Sequence, residues 1–222
     1  MSPEMLFGLL WKSLLQTLHM VAVSGLVGSL IGLPIGVFLA TSGKGELFPA
    51  PKLNYVIGLI VNAARSTPFI ILVVAIIPFT RLLTGTSIGT TAAIVPLTIA
   101  TVPFFARLVE AAIREIDKGL IEAARAMGAT PMQIVRKVLL AEARPAILLA
   151  FTMTIVSLIG YSAMVGAVGG GGLGDLGIRY GYQRFMPDVM LAVVIVLIVL
   201  VQLVQRAGDA LARRFDKRNR KS

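Results

Sequence analysis

Five stretches of this chain, at 18–40, 55–79, 88–106, 146–168 and 189–207, are long, apolar and nearly free of charge. A helix of about 20 residues spans the hydrocarbon core of a bilayer, and in lipid every backbone polar group must be satisfied inside the structure itself. The pattern therefore predicts an all-α membrane protein with five transmembrane helices. Composition agrees, since 56% of the 222 residues are hydrophobic and the mean hydropathy is +0.86. The first stretch is too long, and too interrupted by glycine and Pro34, for a secretory signal core. No cysteine occurs, so neither disulfides nor thiolate metal sites enter. A single membrane domain over 1–222 is expected, with its core at about 13–208 and a basic tail at 209–222.

A net charge of +10 raises nucleic acid as a partner, but the placement of the charge argues against it. Lys44 and Lys52 follow the first stretch. Arg107, Arg114, Lys118, Arg125, Arg136, Lys137 and Arg144 lie between the third and fourth, and a further group runs from Arg206 to Lys221. All of these fall on one side of the membrane if the five stretches are spans. Lys12, Arg81, Arg179 and Arg184 fall on the other, and Arg65 lies inside a stretch. The positive-inside rule puts the N-terminus outside the cell and the C-terminus in the cytoplasm. The run Arg213-Arg214-Phe215-Asp216-Lys217-Arg218 reads as a topology and lipid-headgroup anchor on the bilayer, not as a nucleic-acid arm.

The connection at 117–141 is different in kind. Glu122-Ala123-Ala124-Arg125-Ala126-Met127 reads as a short helix that Gly128 ends, because glycine readily takes the left-handed conformation past a helix C-terminus. Thr130 then caps a second helix, with Pro131 at its first position and Gln133 completing a capping box. The expected object is two short helices joined by a tight corner on the cytoplasmic face, shaped to be gripped by another protein.

Inside the spans, several features go beyond what crossing a bilayer requires. Gly28, Gly32 and Gly36 place a smooth stripe on one face of the first span; packing against neighbouring spans and a surface that moves during transport both remain open readings. The second span is broken at Arg65-Ser66-Thr67-Pro68, where Pro68 removes a backbone hydrogen bond. Arg65 then stands roughly halfway through the hydrocarbon, a costly depth that calls for a polar surrounding. Two readings stand for it: bracing the bundle through carbonyls or a carboxylate, and contacting a substrate carboxylate or lining a gate. In the third span Pro96 and Pro103, with Thr91, Thr98 and Thr101 nearby, suggest a kinked helix lining a cavity. Tyr161 and Met164 in the fourth could wall an apolar side-chain pocket, with ordinary interhelical packing as the alternative.

Other chemistry is excluded by context. The run 172–177 formally fits the dinucleotide fingerprint G-x-G-x-x-G, but it follows a membrane helix instead of a strand. It is expected to be a flexible external loop that dips back towards the pathway. His19 is the sole histidine and reads as an interfacial residue. There is no Walker-type phosphate loop, no catalytic constellation and no metal-ligand cluster. A channel or secondary transporter would be expected to show inverted repeats with paired broken helices, and only one broken span is found.

The insert resembles the EAA loop of ABC importer permeases, matching Glu122, Ala123, Ala124 and Gly128 at the family spacing, with Val138 and Leu140 near the later apolar positions. It departs at Ala141, where the family carries proline. The resemblance extends through 65–71, 77–82, 85–89, 93–98, 119–123, 125–140 and 160–164 to the permeases of methionine ABC importers. It implies a type I importer fold of five spans in the bacterial inner membrane. The implied partners are a second copy of the chain, two cytoplasmic ATPase subunits that bind ATP and Mg, and an external substrate-binding protein. The chain itself would bind no cofactor and catalyse nothing. Glu122, Ala123, Ala124, Gly128, Thr130 and Pro131 would form the ATPase-coupling surface. The cargo would be methionine, L and possibly D, or else another small amino acid or organic substrate.

Overall fold

The computed structural model describes residues 2–215, and among these every regular element is helical. In chain order they are α1 (Pro3–Thr41), α2 (Pro51–Ser66), α3 (Phe69–Ala75), α4 (Ile77–Thr84), α5 (Thr90–Arg114), α6 (Lys118–Ala126), α7 (Pro131–Ile134), α8 (Leu140–Glu142), α9 (Arg144–Ala167), α10 (Gly172–Leu176) and α11 (Pro187–Phe215). Single π-helical turns, Val135–Leu139 and Gly177–Tyr182, follow α7 and α10. Helices α1, α5, α9 and α11 are each long and apolar enough to cross a membrane. The pair α2 and α3 passes the same test only when taken together, and it is bent by 101° at its break, a geometry shared by broken spans and re-entrant loops.

Several boundaries move from the sequence expectation. Helix α1 begins fifteen residues before the first apolar stretch, because Lys12, Gln16 and His19 lower the hydropathy without breaking a helix. His19 sits on the exposed side of this helix. Helix α5 continues to Arg114 through both Pro96 and Pro103. Its inner face is packed, with Leu97, Ala106 and Val109 fully buried, where a cavity lining was expected. Thr101 donates its hydroxyl to the Leu97 carbonyl within the helix (2.7 Å), so it does not serve the carbonyls that the prolines free. The basic tail begins as helix, since α11 runs to Phe215 with Arg213 and Arg214 in its last turn, where cations suit the helix dipole. The rest of that tail, from Asp216, lies outside the described residues.

The chain forms two compact units. The first comprises the residues up to Gly28, Thr67–Thr101 and Thr154–Gln205. Its core gathers Met20, Val21, Phe69, Val73, Ala93, Leu97, Leu158 and Ile159, with a satellite of Leu173, Leu176, Val189 and Val193. The second comprises Ser29–Ser66, Val102–Met153 and the residues from Arg206. It centres on Phe105, Val109, Ile113, Ala124, Ile134, Val135 and Leu139. The glycine stripe packs α1 on α5 in each unit. A Cβ on Gly28 would fall 2.5 Å from the Thr101 side chain in the first, and one on Gly36 would fall 2.5 Å from the Ala106 carbonyl oxygen in the second. Lipid supplies no hydrophobic force to hold two helices together, so this closeness of backbones does it.

The glycine-rich segment is not the loose loop expected. Leu173 and Leu176 are buried in α10, and the segment is tied to α1. Gly172 donates its N–H to Gln16 Oε1 (3.0 Å) and Leu173 donates its own to Thr17 Oγ1 (2.9 Å). A Cβ on Gly174 would lie 2.3 Å from the Ala163 carbonyl oxygen. The glycine spacing that mimics a nucleotide fingerprint thus serves a close fold-back of α10 onto α9.

Candidate functional site

The insert between α5 and α9 is defined almost atom by atom by its local sequence. Asp117 opens α6, its Oδ1 accepting from the Gly119 N–H at 2.8 Å. At the other end Gly128 takes φ +80°. Its N–H reaches the Arg125 carbonyl (2.9 Å), and the Ala129 N–H reaches that of Ala124 (3.0 Å). This paired closure is the Schellman arrangement, which satisfies carbonyls that a helix end leaves open. Thr130 then caps α7: its Oγ1 accepts from the Gln133 N–H, while Gln133 Oε1 accepts from the Thr130 N–H (2.9 Å). Pro131 stands in the first turn, as expected. The second helix does not run evenly to Leu140 but widens into the π-helical turn Val135–Leu139 before α8.

The insert has two faces. Ala124, Ile134, Val135 and Leu139 point into the core of the second unit, with Ile121 and Ala129 packed beside them. Ala124 is 4% exposed, which corrects its expected place on the gripping surface: one residue beyond Ala123 on a helix turns the side chain by about 100°. The outward face carries Glu122, Ala123, Arg125, Thr130 and Pro131, together with exposed apolar Leu120, Met127 and Met132. Met127 is 82% exposed. Glu122 also lines a cavity of about 400 Å³ with Glu46, Arg114, Lys118 and Arg125. A corner that shows methionines and an acid to solvent, the acid without an ion pair among the described residues, has the character of a docking surface.

The residues proposed for the pathway are less tightly grouped. Arg65 lies in the last turn of α2, exposed, with no hydrogen bond or ion pair among the described residues. Among the described residues, no carbonyl or carboxylate braces its guanidinium. Ser66 folds back on α2, its hydroxyl donating to the Asn62 carbonyl (2.9 Å). Beyond Thr67, the Pro68 carbonyl accepts from the N–H groups of Ile71 and Leu72 and opens α3. Within the first unit, Phe69 stacks on Tyr161 with ring centroids 4.5 Å apart and planes at 17°. The structure therefore brings Tyr161 to the residue following Pro68. Met164, three residues further along α9, is exposed.

One constellation escaped the sequence reading. Glu110 of α5 is 5% exposed, with Arg107 Nη1 at 2.5 Å and Arg114 Nη2 at 2.8 Å from its two carboxylate oxygens. Arg107 Nη2 further donates to the Gly58 carbonyl (3.1 Å) and Asn62 Oδ1 (2.8 Å) on α2. The signal was present in the three- and four-residue spacings on either side of Glu110, which place all three side chains on one helical face. Ending the span at residue 106 made Arg107 and Arg114 look like flanking topology charges.

Fold and site together define a multi-pass helical membrane protein with a capped helical corner between two of its long helices. Residues 32–221 match the family model described as the binding-protein-dependent transport system inner membrane component, and the chain belongs to that family. It is 58% identical over 203 residues to the probable D-methionine transport system permease protein MetI of Vibrio cholerae, covering 91% of this chain and 90% of that one. With the D-methionine transport system permease protein MetI of Escherichia coli K12 it shares 56% identity over 166 residues, 75% of this chain and 76% of the other. Among solved structures, the inward-facing MetNI methionine ABC transporter in its CY5 native crystal form superposes with a TM-score of 0.95. That match carries 53% identity over 98% of this chain and 100% of that one. The chain thus has the type I ABC importer permease fold, and it is a transport subunit, not an enzyme.

Proposed function

We propose that this chain is the permease of an ATP-driven importer that carries methionine into the cytoplasm by alternating access. The observation that carries the reading is the preformed corner at 117–141, with Glu122, Ala123, Met127 and Met132 turned outward on a rigid frame. Such a frame transmits displacement to a partner groove without first having to order itself. The identity to methionine permeases supports the cargo. On this reading two copies of the chain act with two cytoplasmic ATPase subunits, which bind ATP and Mg, and with an external binding protein that delivers substrate. The chain works as one membrane domain with its N-terminus outside and its C-terminus in the cytoplasm, a reading that the distribution of basic residues supports.

The transport step follows from linkage. ATP binding closes the ATPase pair and moves both coupling corners, and the packed spans switch between two arrangements because packed interfaces are bistable. Arg65, with Ser66, Thr67 and Pro68 at the broken span, is proposed to meet the substrate carboxylate. Tyr161 and Met164 are proposed to wall the space for its apolar side chain. The test is reconstitution of the chain with its ATPase and binding protein in vesicles, followed by uptake of labelled L- and D-methionine against other amino acids. ATP-dependent accumulation of either methionine is the expected result. Accumulation of a different small solute in its place would keep the architecture and overturn the cargo.

A further inference from the structure

Glu110 lies in the second unit, where both of its carboxylate oxygens are engaged and each engaged guanidinium reaches on to another helix. Arg107 carries the connection to α2 through the Gly58 carbonyl and the Asn62 side chain. Arg114 carries it to the last turns of α1, donating to the Leu39 carbonyl at 3.4 Å. That same Leu39 carbonyl accepts from Asn54 Nδ2 (2.8 Å), whose amide also reaches Ser42 Oγ (2.9 Å). A single buried carboxylate thus stitches α5 to both neighbouring helices. An apolar side chain of similar size would hold the same helices together, and buried ion clusters are often replaced by apolar packing without loss of stability. Cohesion alone therefore does not account for a charged cluster at this place. Its particular property is direction, because the planar fork of Arg107 fixes two acceptors on α2 in one geometry. The two bonds from Nη2 aim the guanidinium at α2, while its Nε is buried without a hydrogen-bond partner among the described residues.

Both ends of this connection lead somewhere. Helix α5 passes through Glu115 and Ile116, each still hydrogen-bonded back to its last turns, directly into the Asp117 cap of α6. Little slack separates Glu110 from the outward corner. On the other side, Asn62 is the residue whose carbonyl receives the Ser66 hydroxyl at the break, three residues before Arg65. We infer that Glu110 is a positioning residue: through Arg107 it clamps the end of α2 to α5, so that displacement of the coupling corner is delivered to the break at Ser66–Pro68. This rests on the reading of 117–141 as the ATPase-coupling element.

The decisive experiment uses the full complex of permease, ATPase and binding protein in vesicles, with methionine imported per ATP hydrolysed as the readout. Asn62→Ala removes the shorter of the two bonds that anchor Arg107 on α2, leaving the longer one to the Gly58 carbonyl and the Glu110 ion pairs in place. Glu110→Gln removes the charge at nearly constant shape, and Glu110→Asp restores it. Asn62→Ala is expected to melt with the wild type and to hydrolyse ATP at its rate, while importing about tenfold less methionine per ATP, the scale of losing a hydrogen bond to a charged group. Glu110→Gln should show the same uncoupling and Glu110→Asp should recover part of it. An unchanged ratio in Asn62→Ala, with or without a lower melting temperature, overturns the inference; should Glu110→Gln fail to fold, Asn62→Ala alone decides. Failure of the underlying reading would look different, because the wild-type chain would then neither retain the ATPase nor import methionine.

Discussion

Gly128 sits at φ +80°, and nothing lies within 4 Å of the place its Cβ would occupy. The demand for glycine there is conformational, not a matter of space. A β-branched residue is a true outlier in that region, and even alanine is disfavoured by about 1–2 kcal/mol. Gly128→Val should therefore redirect α7 away from α6, leaving membrane insertion intact while methionine uptake and substrate-stimulated ATP hydrolysis fall together in reconstituted vesicles. Near-normal values of both would remove the corner from the coupling path. Arg65 presents the opposite case, an exposed charge that the described residues leave unpaired. Its fork suits a carboxylate, whereas lysine offers only a point charge. Arg65→Lys should weaken uptake while assembly persists, and Arg65→Ala should weaken it further. Melting temperatures close to wild type are expected for both variants, and normal uptake by Arg65→Ala would take the residue out of the pathway.

At the scale of elements, the α1–α5 contact is a close long-helix pairing marked by three glycines, Gly28, Gly32 and Gly36. At Gly36 a Cβ would also meet the Val109 side chain at 2.7 Å, so Gly36→Leu must push two backbones apart. Overpacking of that kind costs about 1–3 kcal/mol and should appear as a lower melting temperature of the purified subunit, whereas the same change at solvent-open Gly8 should leave it unaltered. This stripe and the insert were both legible from sequence, because each rests on local rules: small residues at a four-residue spacing, and glycine, threonine, proline and glutamine at capping positions. What escaped shows where such rules stop. Hydropathy ended the third span at residue 106, yet α5 continues to Arg114 because its charges neutralise one another around buried Glu110. The glycine run at 172–177 read as loose, since its close fold-back needs Ala163, Gln16 and Thr17 from elsewhere in the first unit. Ala124 was legible as small but not as inward, which depends on the core that the insert itself completes.

For the molecule as a whole, the exposed apolar surface is informative. Leu26, Leu30 and Ile31 on α1, and Leu191, Ile195, Ile198 and Leu203 on α11, are largely uncovered. Water would not tolerate so much of it, and lipid or a second copy of the chain must cover these faces. Five spans also make a thin bundle for enclosing a pathway, and each chain has one coupling corner to offer. Native mass spectrometry of the purified transporter should therefore return two copies of this chain with two ATPase subunits; an active assembly holding one copy would contradict that stoichiometry. The corner itself has a wider implication. Its helix ends are closed by its own residues, through Gly128 and Ala129 on one side and Thr130 and Gln133 on the other. The outward side chains of Glu122, Ala123, Met127 and Met132 take no part in those closures. A lineage could rewrite them freely, and with them the choice of motor, while the bundle beneath stayed the same.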